Sequence, residues 1–328
     1  MSTAASQAPR GARGARAPRP SRRSARDSSS SWRLSDRLGL AFAWFLGLLF
    51  LTLTAGIVLY MMVQGLRYIT PELMFTSPAA GFSESETGGF LDPLLGTIIV
   101  AAMALGIAFP IGLGVAVWLS EYARPAWLAR VAESTVEMLA GSPSIVFALF
   151  GVLLFEQGGM GFLSRTNDGV VLGRSFFAAS AMLSLIALPL IVANVREGLQ
   201  AIPGHVREAS YAVGKTKIAT TRRVLLPAAR PSVVTGAMLG LGRIIGDTAI
   251  IVLLLGATLR FAPAGDIPLL GALKGTGSTL TTFVYANAPT GEANQPTKAF
   301  AAGFVLLSMV LLLNFAVDVA VRRGRKWK

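Results

Sequence analysis

Six stretches of this chain are apolar runs near the length needed to cross a bilayer as a helix, about 20 residues. Leu38–Val63 and Pro93–Ser120 carry no charge. Met138–Phe155 is shorter and borrows residues from Glu133 onward. Ser175–Val195 and Ala299–Val317 also span, as does Pro231–Leu255, which contains Arg243 and Asp247. Pro110 and Pro189 fall within the second and fourth runs, where neighbouring helices tolerate them. The pattern predicts an all-α fold, a polytopic bundle of six transmembrane helices, with both termini on one side. Two connecting segments, 64–92 and 256–298, are long and rich in Gly, Pro, Ser and Thr. Loops of that length bind something or are disordered. No internal repeat is visible.

Composition narrows the class further. Of 328 residues, 53% are hydrophobic and 14% charged, against roughly 25% charged in a soluble domain. Mean hydropathy is +0.59. A soluble enzyme and a wholly disordered chain are excluded. With no Cys and one His, His205, there is no disulfide scaffold, thiol nucleophile or His-rich metal site. His205, beside Pro203-Gly204, reads as a solvated loop residue.

The net charge of +13 is unevenly placed. Residues 1–37 carry nine Arg and two acids, Asp27 and Asp36, spaced by Pro, Gly, Ser and Ala. Such a segment cannot bury enough apolar surface to fold. It reads as a disordered basic tail that attracts anionic lipid and fixes topology. A nucleic-acid arm is the weaker reading, since no aromatic is interleaved before Trp32. The basic part and the apolar run after it are both too long for a cleavable signal peptide. With the N-terminus in the cytoplasm, that side holds nine Lys/Arg in the tail, two in loop 120–135, seven in loop 196–230 and five at the end. The opposite side holds six. The positive-inside rule therefore places both termini in the cytoplasm.

Loop 196–230 is the most informative stretch. Val206, Ala209 and Val213 share one helical face, and Gly214 suits the position just past a helix end. Ile218, Thr221 and Leu225 continue a second short helix that Pro227 closes. Two short angled helices with a charged outer face suit docking into a partner's groove. Residues 209–216 approach a phosphate-binding loop, ending Lys215-Thr216. Ala209 stands where its first Gly must be and no strand precedes it, so nucleotide binding is rejected here.

Glu208-Ala209-Ser210, three residues, Gly214, nine residues, then Val224-x-Leu226-Pro227 resembles the EAA loop of ATP-binding-cassette (ABC) importer permeases. That family's pattern is Glu-Ala-Ala-x3-Gly-x9-Ile-x-Leu-Pro, with Ser210 and Val224 the departures here. The resemblance implies a type I, MetI-like permease core. The loop would then be a coupling helix seated in a cleft of a separate ATPase. Gly214 would form the elbow and Glu208 a polar contact, and the ATPase-coupling set would be Glu208, Ala209, Ser210, Gly214, Leu226 and Pro227.

More of the chain is similar to one subfamily. Gly88-Gly89-Phe90 with Gly96-Thr97, Glu121-Tyr122-Ala123, Leu139–Phe147, Leu188-Pro189 followed by Glu197, and Gly242–Thr248 resemble the A-type permease of the phosphate-specific transporter, the PstA family. The resemblance covers roughly residues 88–318. The family's acid after the arginine is usually Glu, where this chain has Asp247, one methylene shorter.

Arg243 and Asp247 also read from their chemistry. At i, i+4 they meet on one helical face and partly neutralise each other, because an unpaired charge at mid-membrane is costly. Arg donates two hydrogen bonds at once to an oxyanion, so the pair is a candidate phosphate contact. The alternative reading is a salt bridge that only holds helices together. In Gly141-Ser142-Pro143, Ser142 suits an N-cap and Pro143 the first helical position. A helix start attracts anions, but a plain kink is the blander reading. The candidate translocation path is therefore Arg243, Asp247, Thr248, Ser142 and Ser144.

The expected division is a disordered tail at 1–37, a first helix and outer loop at 38–92, a permease core at 93–321 and a basic tail at 322–328. The expected function, implied by the resemblance, is inward phosphate translocation across the cell membrane by alternating access. The chain itself would be no enzyme and hold no metal or cofactor, ATP-Mg being bound by the partner. Partners would be a C-type permease paralogue in a heterodimer, an ATPase dimer, an extracytoplasmic phosphate-binding protein and the lipid bilayer, with no nucleic acid. Alternatives are a permease for phosphonate, sulfate or molybdate, and a non-transporting membrane scaffold or sensor.

Overall fold

The computed structural model describes residues 34–77, 88–157, 159–164, 173–256, 271, 273–289, 291 and 295–325. Its elements are helices: α1 Leu34–Tyr68, α2 Pro71–Phe75, α3 Leu91–Val117 with a π-helical turn at Trp118–Tyr122, α4 Ala126–Gly141 and α5 Ser144–Glu156. There follow α6 Phe176–Gln200, α7 Gly204–Ala212, α8 Lys217–Ala228, α9 Arg230–Gly246, α10 Ala249–Leu254, α11 Leu280–Asn287 and α12 Pro296–Arg325. The chain divides into two compact units between Ile57 and Val58, within α1.

Four helical segments are long and apolar enough to cross a membrane: α1, α3 through Tyr122, α6, and Pro296–Phe315 of α12. Two bent pairs raise the number to six if each counts as one span: α4 with α5 at 105°, and α8 with α9 at 71°. The expected third span is therefore no straight rod. Loop 120–135 is largely helix α4, and the chain turns sharply at Ser142-Pro143, where Pro disfavours helix in the residue before it. The expected fifth span also breaks. Helix α9 ends at Gly246, Asp247 is extended, and α10 starts at Ala249. Helix α1 begins at Leu34, so the last four residues of the expected tail are helical, while 1–33 lie outside the described residues. At the other end α12 carries 322–325 as helix.

In the unit from residue 58 onward, α6 is the central helix, packed against α3 and α9. Its buried side chains Leu183, Ala187, Ile191, Val195 and Leu199 lie within the main core. Lipid is as apolar as leucine, so close backbone approach rather than water exclusion holds such helices together. Glycines supply that approach. A Cβ on Gly112 of α3 would lie 2.8 Å from Ile191, and one on Gly240 of α9 would lie 2.9 Å from it. We therefore expect Gly112→Leu and Gly240→Leu to lower the thermal midpoint of the purified chain in detergent, since overpacking costs about 1–3 kcal/mol. Ile191→Ala should restore part of the loss, and unchanged midpoints in both single variants would refute this packing account.

A second core joins Phe90, Leu280, Phe283, Ala301, Ala302 and Val305, bringing α11 and α12 to the start of α3. Hydroxyls tie this region. Thr279 and Thr282 form a capping box at the start of α11. Thr97 Oγ1 accepts from the Leu280 N–H, and Thr281 Oγ1 donates to the Ile245 carbonyl at the end of α9. Helix α11 thereby braces the residues just before the Asp247 break.

Candidate functional site

The stretch 201–228 folds into an arm. Helix α6 runs to Gln200, so Arg196 and Glu197 are helical rather than in a loop. After Pro203, helix α7 makes two and a half turns. Gly214 adopts a φ of +78°, a left-handed conformation that side-chain-bearing residues rarely take. Its N–H bonds to the Tyr211 carbonyl and that of Lys215 to Ser210. Thr216 Oγ1 then accepts from the Ala219 N–H and opens α8. The expected helix stop at Gly214 and the second short helix are both present.

Two details differ from expectation. On α7 the buried residue is Ser210, paired with Thr220 Oγ1 at 2.9 Å, while Val213 is 73% exposed. The face Val206–Ala209–Val213 is thus not the one that packs inward. Periodicity marked the apolar positions, but the inward face was chosen by the polar ties of Arg207 and Ser210. Pro227 does not close α8 either. It lies in the short segment Leu226–Ala228, and the bend follows at Ala229. Leu226 is half-buried, Pro227, Glu208 and Ala209 are exposed, and Tyr211, Val213 and Ile218 form an apolar rim round the Gly214 elbow.

Interactions not foreseen from the sequence bind the arm to the rest. Arg207 donates from Nε and Nη2 to Glu121 Oε1, at 3.2 and 2.8 Å. It also donates to the carbonyls of Ile202 and Leu199, both at 2.8 Å. The Lys217 ammonium lies 4.8 Å above the Tyr122 ring. Outside the arm, Arg196 of α6 pairs with Glu133 of α4. Sequence spacing could not show these pairs, because Glu121 and Arg207 are 86 positions apart. The available signal was Glu121 itself, an acid at the end of an uncharged run.

The second candidate lies at the α9–α10 break. Arg243 is in the last turn of α9, and Asp247 follows the helix end, so the two do not share one helical face as expected. They still meet, with Nη2 and Oδ2 3.7 Å apart. Asp247 Oδ1 accepts the Ile250 N–H at 3.0 Å and so holds the start of α10. The Asp247 side chain is 3% exposed and that of Arg243 44%. Asp247 is therefore mainly a structural clasp. Among the described residues it is the one polar partner of the Arg243 guanidinium, whose side chain stays partly exposed. Thr248, half-buried, offers its carbonyl to the Val252 N–H.

Ser142 and Ser144 flank the α4–α5 bend. Ser142 does not cap α5 as expected. It is the residue after α4, and its hydroxyl donates to the Met138 carbonyl at 2.7 Å. Pro143 precedes α5 instead, with no side-chain cap. The cause is local, since a serine hydroxyl at a helix end readily turns back to the carbonyl four residues before it. Among the described residues, no hydrogen bond or ion pair joins Ser142 or Ser144 to Arg243, Asp247 or Thr248.

Residues 108–326 match the family described as binding-protein-dependent transport system inner membrane component. That span contains both the arm and the α9–α10 break. The phosphate transport system permease protein PstC of Xylella fastidiosa (strain 9a5c) is 30% identical over 249 residues, 71% of this chain and 72% of that protein. The phosphate transport system permease protein PstA 1 of Mycobacterium tuberculosis (strain H37Rv) is 33% identical over 246 residues, 74% of each chain. Among solved structures, an inward-facing form of the MetNI methionine ABC transporter superposes with a TM-score of 0.54 at 25% identity, covering 71% of this chain and 95% of that one.

Proposed function

Because the chain belongs to the family of binding-protein-dependent transport system inner membrane components, we propose that it is the membrane permease subunit of an ABC importer that carries inorganic phosphate into the cell. The observation that carries the substrate reading is Arg243. Its guanidinium stands on an apolar helix, partly exposed, with one carboxylate 3.7 Å away. A planar fork of donors suits a tetrahedral oxyanion, and Asp247 beside it keeps the hold weak enough for release. The phosphate permeases among the relatives support the same substrate.

The chain forms half of the pore, beside a related C-type permease. Relatives of both types match over similar lengths, so the A-type assignment rests on the motifs at 121–123, 139–147 and 242–248. Both termini lie in the cytoplasm by the placement of Lys and Arg. An extracytoplasmic phosphate-binding protein delivers to the outer side. The arm formed by α7 and α8 docks on an ATPase dimer through the exposed Glu208, Ala209 and apolar rim, and ATP-Mg is bound by that partner. This chain does no hydrolysis itself. The coupling set Glu208, Ala209, Ser210, Gly214, Leu226 and Pro227 divides by role here. Glu208 and Ala209 face the partner, while Ser210 and Gly214 shape the arm.

Another oxyanion is the second reading, because a methionine transporter shares this fold and the fold alone therefore does not choose the cargo. Proteoliposomes holding the chain with its partner permease, ATPase and binding protein, with ATP inside, separate the cases. We expect phosphate to accumulate with ATP and sulfate and molybdate not to compete. Accumulation of another oxyanion instead overturns the substrate. No flux of any oxyanion from an assembled complex favours a scaffold or sensor.

A further inference from the structure

Two side-chain ties join α7 and α8 to the end of α3. Glu121 has a side chain only 5% exposed, yet it is an acid at the end of a long apolar helix. Its partner Arg207 uses three nitrogens on three acceptors: the carboxylate, and the carbonyls of Leu199 and Ile202 at the end of α6. Charge-assisted hydrogen bonds are roughly twice as strong as neutral ones, and a buried pair is screened little by salt. One side chain thus ties α7, α6 and α3 at a single point. Lys217 over Tyr122 adds a second tie, from the first residue of α8 to the residue after Glu121.

The backbone is irregular at both places the force would pass. Residues Trp118–Tyr122, which carry Glu121 and Tyr122, form a π-helical turn, as do Thr221–Leu225 within α8. Such turns recur at functional positions within helices. At the end of α3 the π-turn sets where the carboxylate and ring meet the arm. The covalent route from the arm leads only to α6 on one side and α9 on the other. Helix α3 also packs against α6, and these two ties add a direct link from the arm to its end.

We infer that Glu121 and Arg207 form a latch, with Tyr122 and Lys217 beside it, that makes the partner-docking arm and α3 move as one body. Displacement of the arm is thereby delivered directly to α3 as well as to α9. Glu121 and Arg207 are positioning residues, acting through the arm and touching neither cargo nor nucleotide. The inference rests on the proposed function for its consequence in transport, but the latch itself is measurable without transport.

The full chain has no cysteine, so spin labels can be placed at Ile111→Cys on α3 and Ala212→Cys on α7, both exposed positions. In nanodiscs the labelled wild type should give one narrow distance distribution. Glu121→Gln removes the charge but keeps the shape, and Arg207→Met removes all three acceptor contacts. Both should broaden the distribution, Arg207→Met more. In the reconstituted complex, phosphate moved per ATP hydrolysed should fall about tenfold in Glu121→Gln, the size of one lost charge-assisted contact, while basal ATP hydrolysis stays near wild type. A merely structural role would lower transport and hydrolysis together and leave their ratio unchanged. Unchanged distances in both variants overturn the latch. Unchanged phosphate per ATP with broadened distances overturns its part in coupling. If the wild type moves no phosphate, the proposed function falls while the distances still decide the latch.

Discussion

Arg243→Ala should abolish most phosphate accumulation, by about 100-fold, which corresponds to about 2.7 kcal/mol of lost interaction with the passing anion. Removing the arginine also leaves Asp247 buried without its counter-charge, and an uncompensated buried charge is itself destabilising. The two causes separate in the double variant Arg243→Ala/Asp247→Asn. The introduced asparagine removes the charge and keeps a side-chain oxygen for the Ile250 N–H that Asp247 now accepts. If the arginine holds phosphate, the double variant stays inactive although its thermal midpoint recovers. If the pair only holds helices, uptake returns with stability. Arg243→Lys supplies a point charge without the planar fork and should fall between, by about tenfold. The measurements are uptake into proteoliposomes and the thermal midpoint of the same preparation.

Substitution at Gly214 should uncouple hydrolysis from transport in an order set by backbone preference. The elbow needs a φ of +78°. Asn visits that region several-fold more than most residues, Ala pays about 1–2 kcal/mol there, and a β-branched residue fares worst. Uptake should therefore decline in the order Gly, Asn, Ala, Val. Open space surrounds a Cβ at this position, so the series reports backbone conformation rather than a clash. Glu208→Lys, at an exposed position on α7, reverses a charge without altering the elbow and should also abolish ATP-dependent uptake. Together the two substitutions distinguish the shape of the arm from its proposed contact with an ATPase. Equal uptake by Gly214→Val and wild type would show that the elbow's conformation is not what the partner reads.

The arm at 201–228 was legible because its signals are local. A left-handed residue, a cap threonine and a proline each act within one turn, and Gly214 and Thr216 behave as their chemistry dictates. The apolar runs were legible for the same reason, since about 20 uncharged residues have few alternatives to a membrane helix. The bends were less so. A kink at Ser142-Pro143 was one reading of the sequence, but its angle was not, and nothing in the spacing marked Asp247-Thr248 as the end of a helix. Whether a chain kinks or stops there depends on what packs on either side. At Asp247 the deciding contacts are the carboxylate on the Ile250 N–H and Thr281 bracing the Ile245 carbonyl.

What the sequence determined by itself is therefore the class of molecule, the number of apolar runs, the asymmetry of charge and the elbow at Gly214, because each follows from composition or from interactions a few residues apart. The tertiary structure alone decided which face of α7 turns inward, that Asp247 clasps α10 while Arg243 stays partly exposed, and that Glu121 meets Arg207. Those outcomes depend on side chains brought together from distant helices, and one-dimensional spacing carries no record of which helices will be neighbours.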